Sequence, residues 1–174
     1  IGKQAANLKP LFKDPFAQAN LEANVQWTGF ESLPAFLLAA VLFFSLRAFS
    51  KKQTWNGFRL LFGGSALFVF LTVIAFVKRI EGYSQRAAVE FFESKAKEDC
   101  YILTHGYKSY AHLFYARKRP PTHPEAHDPY FLKYGNSDKP VYLVAKIHKA
   151  EEVLKMGGFE ELYRKNGFVF FSRD

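Results

Sequence analysis

The residues best suited to handle a ligand follow a short apolar tract. His105, Tyr107, Lys108, Tyr110 and His112 come just after Cys100-Tyr101-Ile102-Leu103-Thr104. The tract reads as a buried strand, and open α/β sheets bind ligands beyond the carboxyl ends of their strands. Aromatic rings offer faces to sugars, and a lysine donates to phosphate or carboxylate. The competing reading is plain: these residue types also build the core and surface of any small domain. A second pair, Lys78 and Arg79, follows a long apolar run. Basic side chains at that depth hold a lipid phosphate or simply extend to water along their apolar stems. The substrate-binding candidates are Lys78, Arg79, Tyr107, Lys108, Tyr110 and His112.

Other constellations carry less. His123, His127 and Asp128 lie close together, but Pro124 and Pro129 interrupt the segment and no third ligand is placed, so a solvated loop is expected rather than a metal site. Cys100 is the single cysteine, which excludes an intrachain disulfide and a zinc-finger set. At the start of a strand it reads as a small core residue rather than a nucleophile. The carboxylate pairs Glu98-Asp99, Glu151-Glu152 and Glu160-Glu161 read as solvated element ends. Neither a phosphate-cradling glycine loop nor a Ser/His/Asp order is recognisable. No catalytic residue, metal or cofactor is therefore assigned.

The elements that position these candidates begin with two apolar runs. Residues 60–77 contain no charge, nor do residues 33–46. A membrane span needs about 20 mostly apolar residues, so spans are expected at about 33–49 and 58–77. The segment 50–59 joins them, with Lys51, Lys52 and Arg59 beside Arg47 and no acid. The positive-inside rule puts this link in the cytoplasm. Residues 1–32 would then be an extracytoplasmic lead-in, and residues 80–174 an extracytoplasmic domain. Gly63-Gly64-Ser65-Ala66 is a small-residue patch that admits a close helix, either the first span or a further one. Trp27 reads as an interfacial anchor. Asp14 and Pro15 read as the cap and first residue of a short helix.

Residues 1–80 hold nine Lys/Arg and three Asp/Glu, whereas residues 81–174 hold fifteen and thirteen. The basic excess sits on the membrane half, which argues against a nucleic-acid partner. The chain begins at Ile1, so it is expected to be the tail of a longer protein.

The domain reads as alternating α and β. Ser84 is expected to cap a helix to about Lys97, with Glu93 and Lys97 paired on its wet side. Residues 107–115 suit helix or strand alike, and 117–128 is a loop. Residues 129–134 form a helical turn, 140–146 the clearest strand, and 150–156 a helix stopped by Gly157-Gly158. Asn166-Gly167 closes a terminal β-hairpin. The fold class is thus two transmembrane helices followed by a small α/β (α+β) domain with a mixed sheet.

The order of phrases resembles a known family. Asp14-Pro15-Phe16-Ala17 and Trp27-Thr28-Gly29-Phe30-Glu31 precede a span; Tyr83-Ser84-Gln85-Arg86, Gly106-Tyr107-Lys108-Ser109-Tyr110, Lys139-Pro140-Val141-Tyr142 and Asn166-Gly167-Phe168-Val169 follow. Together they resemble the C-terminal end of bacterial GT-C glycosyltransferases. The type is that of the protein O-mannosyltransferases and aminoarabinose transferases, in forms seen in Bacteroidetes. The resemblance implies a polytopic enzyme of the bacterial inner membrane with a periplasmic terminal domain. It implies transfer of a sugar from a polyprenyl-phosphate donor to a lipid, glycan or protein. Membrane lipid, that donor and the parent's other helices would be its partners. The family's catalytic Asp lies in an early loop, so this segment would carry no catalytic residue. The alternative from the residues alone is a two-span membrane protein whose exported α/β domain is a binding module.

Overall fold

A computed structural model describes residues 6–174. After a 3₁₀ segment at Ala6–Leu11, the chain forms α1 (Pro15–Asn20), α2 (Leu33–Ser50), α3 (Thr54–Ser84) and α4 (Arg86–Ser94). Next come β1 (Tyr101–His105), α5 (Ala111–Tyr115), α6 (Pro129–Tyr134), β2 (Val141–Lys146), α7 (Ala150–Lys155), β3 (Glu160–Lys165) and β4 (Phe168–Arg173). The chain separates into two compact units. One holds residues 24–81, and the other holds residues 6–23 together with 82–174.

The first unit is a helical hairpin. Both long helices are long and apolar enough to cross a membrane. Large side chains such as Phe36, Phe43, Phe62 and Phe70 stand 61–69% exposed, which water would penalise and lipid would not. Both helices outrun the apolar runs because helix ends follow the backbone, not hydropathy. The link shrinks to Lys51–Gln53. There Gln53 N–H donates to the Ala48 carbonyl and Lys52 N–H to that of Phe49, at 3.0 and 2.9 Å. This is a Schellman end, with Lys52 at φ 62° where glycine is usual. Gly64 faces Val41 so closely that a Cβ would come within 2.4 Å of it. The small-residue patch thus seats α3 against α2.

The second unit layers helices on both faces of a four-stranded mixed sheet, ordered β1-β2-β4-β3. β1 and β2 run parallel, and the other neighbours run antiparallel. Strand alternation sorts the core. Leu143, Ala145, Val169 and Phe171 pack with Ala150 and Val153 on one side. Ile102, Val144, Phe168 and Phe170 pack with Ala88, Phe91 and Phe92 on the other. The hairpin turn is closed by Asn166 at φ 47° and Gly167 at φ 80°.

Three expectations change. Ser84 ends α3 instead of capping α4, whose first residue follows Gln85. α4 stops at Ser94, so the helical spacing for a Glu93–Lys97 pair does not arise. The stretch expected as a lead-in divides at Ala23, and its first part belongs with the sheet. Asp14 does cap α1, accepting from Phe16 N–H at 2.9 Å, and α1 sets Phe16 against Phe168.

Candidate functional site

Beside β1, an edge strand, lies an open cleft of about 1070 Å³. Three segments build it. The first is β1 itself with the chain entering it, residues 96–104. The second is the turn and helix of residues 107–113. The third is the loop from Arg117 into α6. Gly106 starts the second segment at φ 79°, where a Cβ would meet Lys149 Cγ at 2.6 Å. Glycine is therefore required on both steric and conformational grounds. Ser109 Oγ then accepts from Ala111 N–H at 3.1 Å and opens α5.

α5 ends in a second Schellman pattern. Lys118 N–H donates to the Leu113 carbonyl and Arg117 N–H to that of Phe114, both at 3.1 Å. Arg117 occupies the left-handed position at φ 50°, a conformation costing a non-glycine residue about 1–2 kcal/mol. The Lys118 ammonium donates to the carbonyls of Lys95 and Glu98 and so pins the chain end of α4 beneath the cleft.

The cleft wall carries seven Lys/Arg and two carboxylates. Both carboxylates are engaged. Asp99 accepts from Lys139 at 2.8 Å. Glu98 accepts from Lys95 at 2.7 Å and from the Tyr142 hydroxyl at 2.5 Å. Burial would raise the Glu98 carboxyl, but these two donors hold it below the usual range. Lys118 and Lys139 are thereby spoken for. Lys97, Lys108, Arg117, Arg119 and Lys133 remain, and none has a carboxylate partner among the described residues. The field in the cleft is therefore positive.

Tyr107, Lys108, Tyr110 and His112 all line this cleft, but in two roles. Lys108 is exposed, and Tyr110 is 85% exposed with its ring free. The Tyr107 ring instead packs edge-on against Phe168, centroids 5.8 Å apart. Its phenol is buried without a partner among the described residues, and burial pushes it well above its ordinary pKa. His112 packs beside Phe92. Burial pushes its imidazole pKa down, against a backbone hydrogen bond at Ser109 that favours the cation, and its Nδ1 has no well-aligned partner among the described residues.

Lys78 and Arg79 belong to the helical unit and divide in the same way. Lys78 is exposed. Arg79 is committed: its guanidinium meets the buried Glu31 carboxylate at 2.5 Å and the Ala75 carbonyl at 2.6 Å, over the Trp27 ring. An arginine so occupied is a poor phosphate ligand, so its assignment to lipid weakens. His105 sits 3.2 Å from Glu152. His123 stacks on Phe131, and Asp128 caps α6 through Tyr130 N–H. Among the described residues no three His, Cys, Asp or Glu side chains are grouped to hold a metal ion. Cys100 is buried, and that burial raises its thiol pKa.

Sequence reasoning missed Lys97, Arg117, Arg119 and Lys133. The run Arg117-Lys118-Arg119 was the available signal, but the near-balanced charge of residues 81–174 hid it. No protein-family model matches the chain, nor does any curated protein or solved structure.

Proposed function

We propose that the chain is the terminal portion of a GT-C-type glycosyltransferase. It moves a sugar from a polyprenyl-phosphate donor to a lipid, glycan or protein acceptor. The two long helices are its last membrane spans in a bacterial inner membrane. The sheet unit is its periplasmic domain, capping the active site and receiving the acceptor. The reading rests on the phrase-by-phrase resemblance. The observation that best supports it is the pairing of an outward-apolar helical hairpin with a sheet domain bearing a basic, tyrosine-lined cleft. An even number of spans also suits a sheet unit drawing on residues from both sides of the hairpin. α3 has 31 residues, or roughly 46 Å at 1.5 Å per residue, so it extends past a hydrocarbon core of about 30 Å.

The experiment is expression of the full open reading frame in membranes, with a labelled polyprenyl-phosphate sugar. Donor-dependent transfer by that protein, and none by residues 1–174, supports the reading. No transfer with any polyprenyl-phosphate sugar rejects it.

A further inference from the structure

We infer that the cleft beside β1 binds an anionic oligosaccharide, one whose sugar units carry carboxylate, sulfate or phosphate groups. The word oligosaccharide rests on the glycosyltransferase reading; the anionic character rests on the cleft alone.

Two observations converge. The first is charge: Lys97, Lys108, Arg117, Arg119 and Lys133 line one cleft without carboxylate partners. Like charges gathered this way repel unless a ligand neutralises them. They come from separate segments of the wall, which fits several anionic groups spaced along a chain better than one small ion. The volume, about 1070 Å³, lies just above the roughly 300–1,000 Å³ typical for drug-sized ligands.

The second observation is the Tyr110 ring, which lines the cleft and stands 85% exposed, offering a face on which a sugar ring can lie.

The test uses residues 1–174 in detergent micelles, with hexagalacturonate as the probe and calorimetry as the readout. Maltohexaose, inorganic phosphate and hexaglutamate are the comparison ligands. Hexagalacturonate should bind at low salt and weaken as salt screens the cleft. Arg117→Ala/Arg119→Ala should weaken binding at least tenfold. Arg117→Gly separates binding from folding, since it should raise the melting temperature while weakening binding. Tyr110→Ala should weaken binding several-fold, which a merely electrostatic surface would not show.

No binding of hexagalacturonate overturns the inference. So does equal binding of maltohexaose, which would mean charge is irrelevant. Equal binding of phosphate would mean a site for a single anion, and equal binding of hexaglutamate a peptide site; both overturn it. Loss of this binding with polyprenyl-phosphate-dependent transfer intact would sink the inference and leave the proposed function standing. The converse result would do the opposite.

Discussion

Phe16 stands edge-on to Phe168, with ring centroids 5.0 Å apart and planes at 85°. The two are separated in sequence by both long helices, so this contact closes the sheet domain around its insertion. Gly167 permits it: a Cβ there would lie 2.8 Å from the Phe16 ring. The Lys146 ammonium lies over the same Phe16 ring, 4.6 Å from its centroid.

Phe16→Ala should therefore destabilise the sheet unit, not the hairpin. Phe16 is half-buried, so about 1–2 kcal/mol is expected, below the 3–5 of a fully buried Phe. Amide exchange in β4 reads this directly. A segment starting at residue 81 should fold less stably than one in which residues 6–23 are joined back by a linker. Equal melting of the two would refute the closure.

Glu31 and Arg79 form a partly buried ion pair 2.5 Å apart. Thr28 N–H, the Thr28 hydroxyl and Gly29 N–H also donate to Glu31. Removing one partner leaves a carboxylate or guanidinium without its counter-charge. Arg79→Gln and Glu31→Gln should each lower stability in micelles by about 1–3 kcal/mol. In a double-mutant cycle the two losses should fall well short of additive. Additive losses would show that the pair is not coupled.

His112 should give the domain an acid-sensitive step. Its folded pKa lies below the ordinary 6.5 because burial disfavours the cation. As pH falls below about 6.5 the unfolded chain takes up the proton first, so stability drops until the folded pKa is passed. Above 6.5 this contribution is fully present. His112→Gln should flatten the fall in melting temperature as pH drops below about 6.5, ahead of the window in which carboxylates such as Glu98 titrate. An unchanged slope would exclude His112 as the cause.

The link at Lys51–Gln53 should face the cytoplasm, since Arg47, Lys51, Lys52 and Arg59 are unbalanced by acid. Single cysteines at positions 53 and 137, in a Cys100→Ala background, test this in intact cells. Labelling at 137 only is expected. Labelling at 53 only would invert the topology.

Much of the fold was legible because local rules acted alone. The apolar runs specified α2 and α3, Asp14-Pro15 marked α1, and Asn166-Gly167 placed the hairpin. Strand β3 has all six residues exposed, so its turn revealed it and its pattern could not. Residues 107–115 stayed ambiguous because a five-residue helix is set by Ser109 and by packing on Phe92, not by periodicity. The cleft was half legible. Lys108, Tyr110 and His112 sit in one phrase, whereas Lys97 and Lys133 join them only through tertiary folding. The membership of α1 in the sheet domain left no local trace, because Phe16 finds its partner across the whole hairpin.

The central claim is tested most directly by sugar transfer in membranes carrying the protein of the full open reading frame. Wild type is compared with Lys108→Ala in the cleft and Lys78→Ala on the helical hairpin, at matched expression and folding. Arg79 is left intact because Glu31 depends on it. The account predicts donor-dependent transfer by wild type. Each variant should lose about tenfold to a hundredfold in turnover efficiency, the loss expected for one charge-assisted contact. Wild-type efficiency in both variants, or no transfer from any polyprenyl-phosphate sugar, would contradict it.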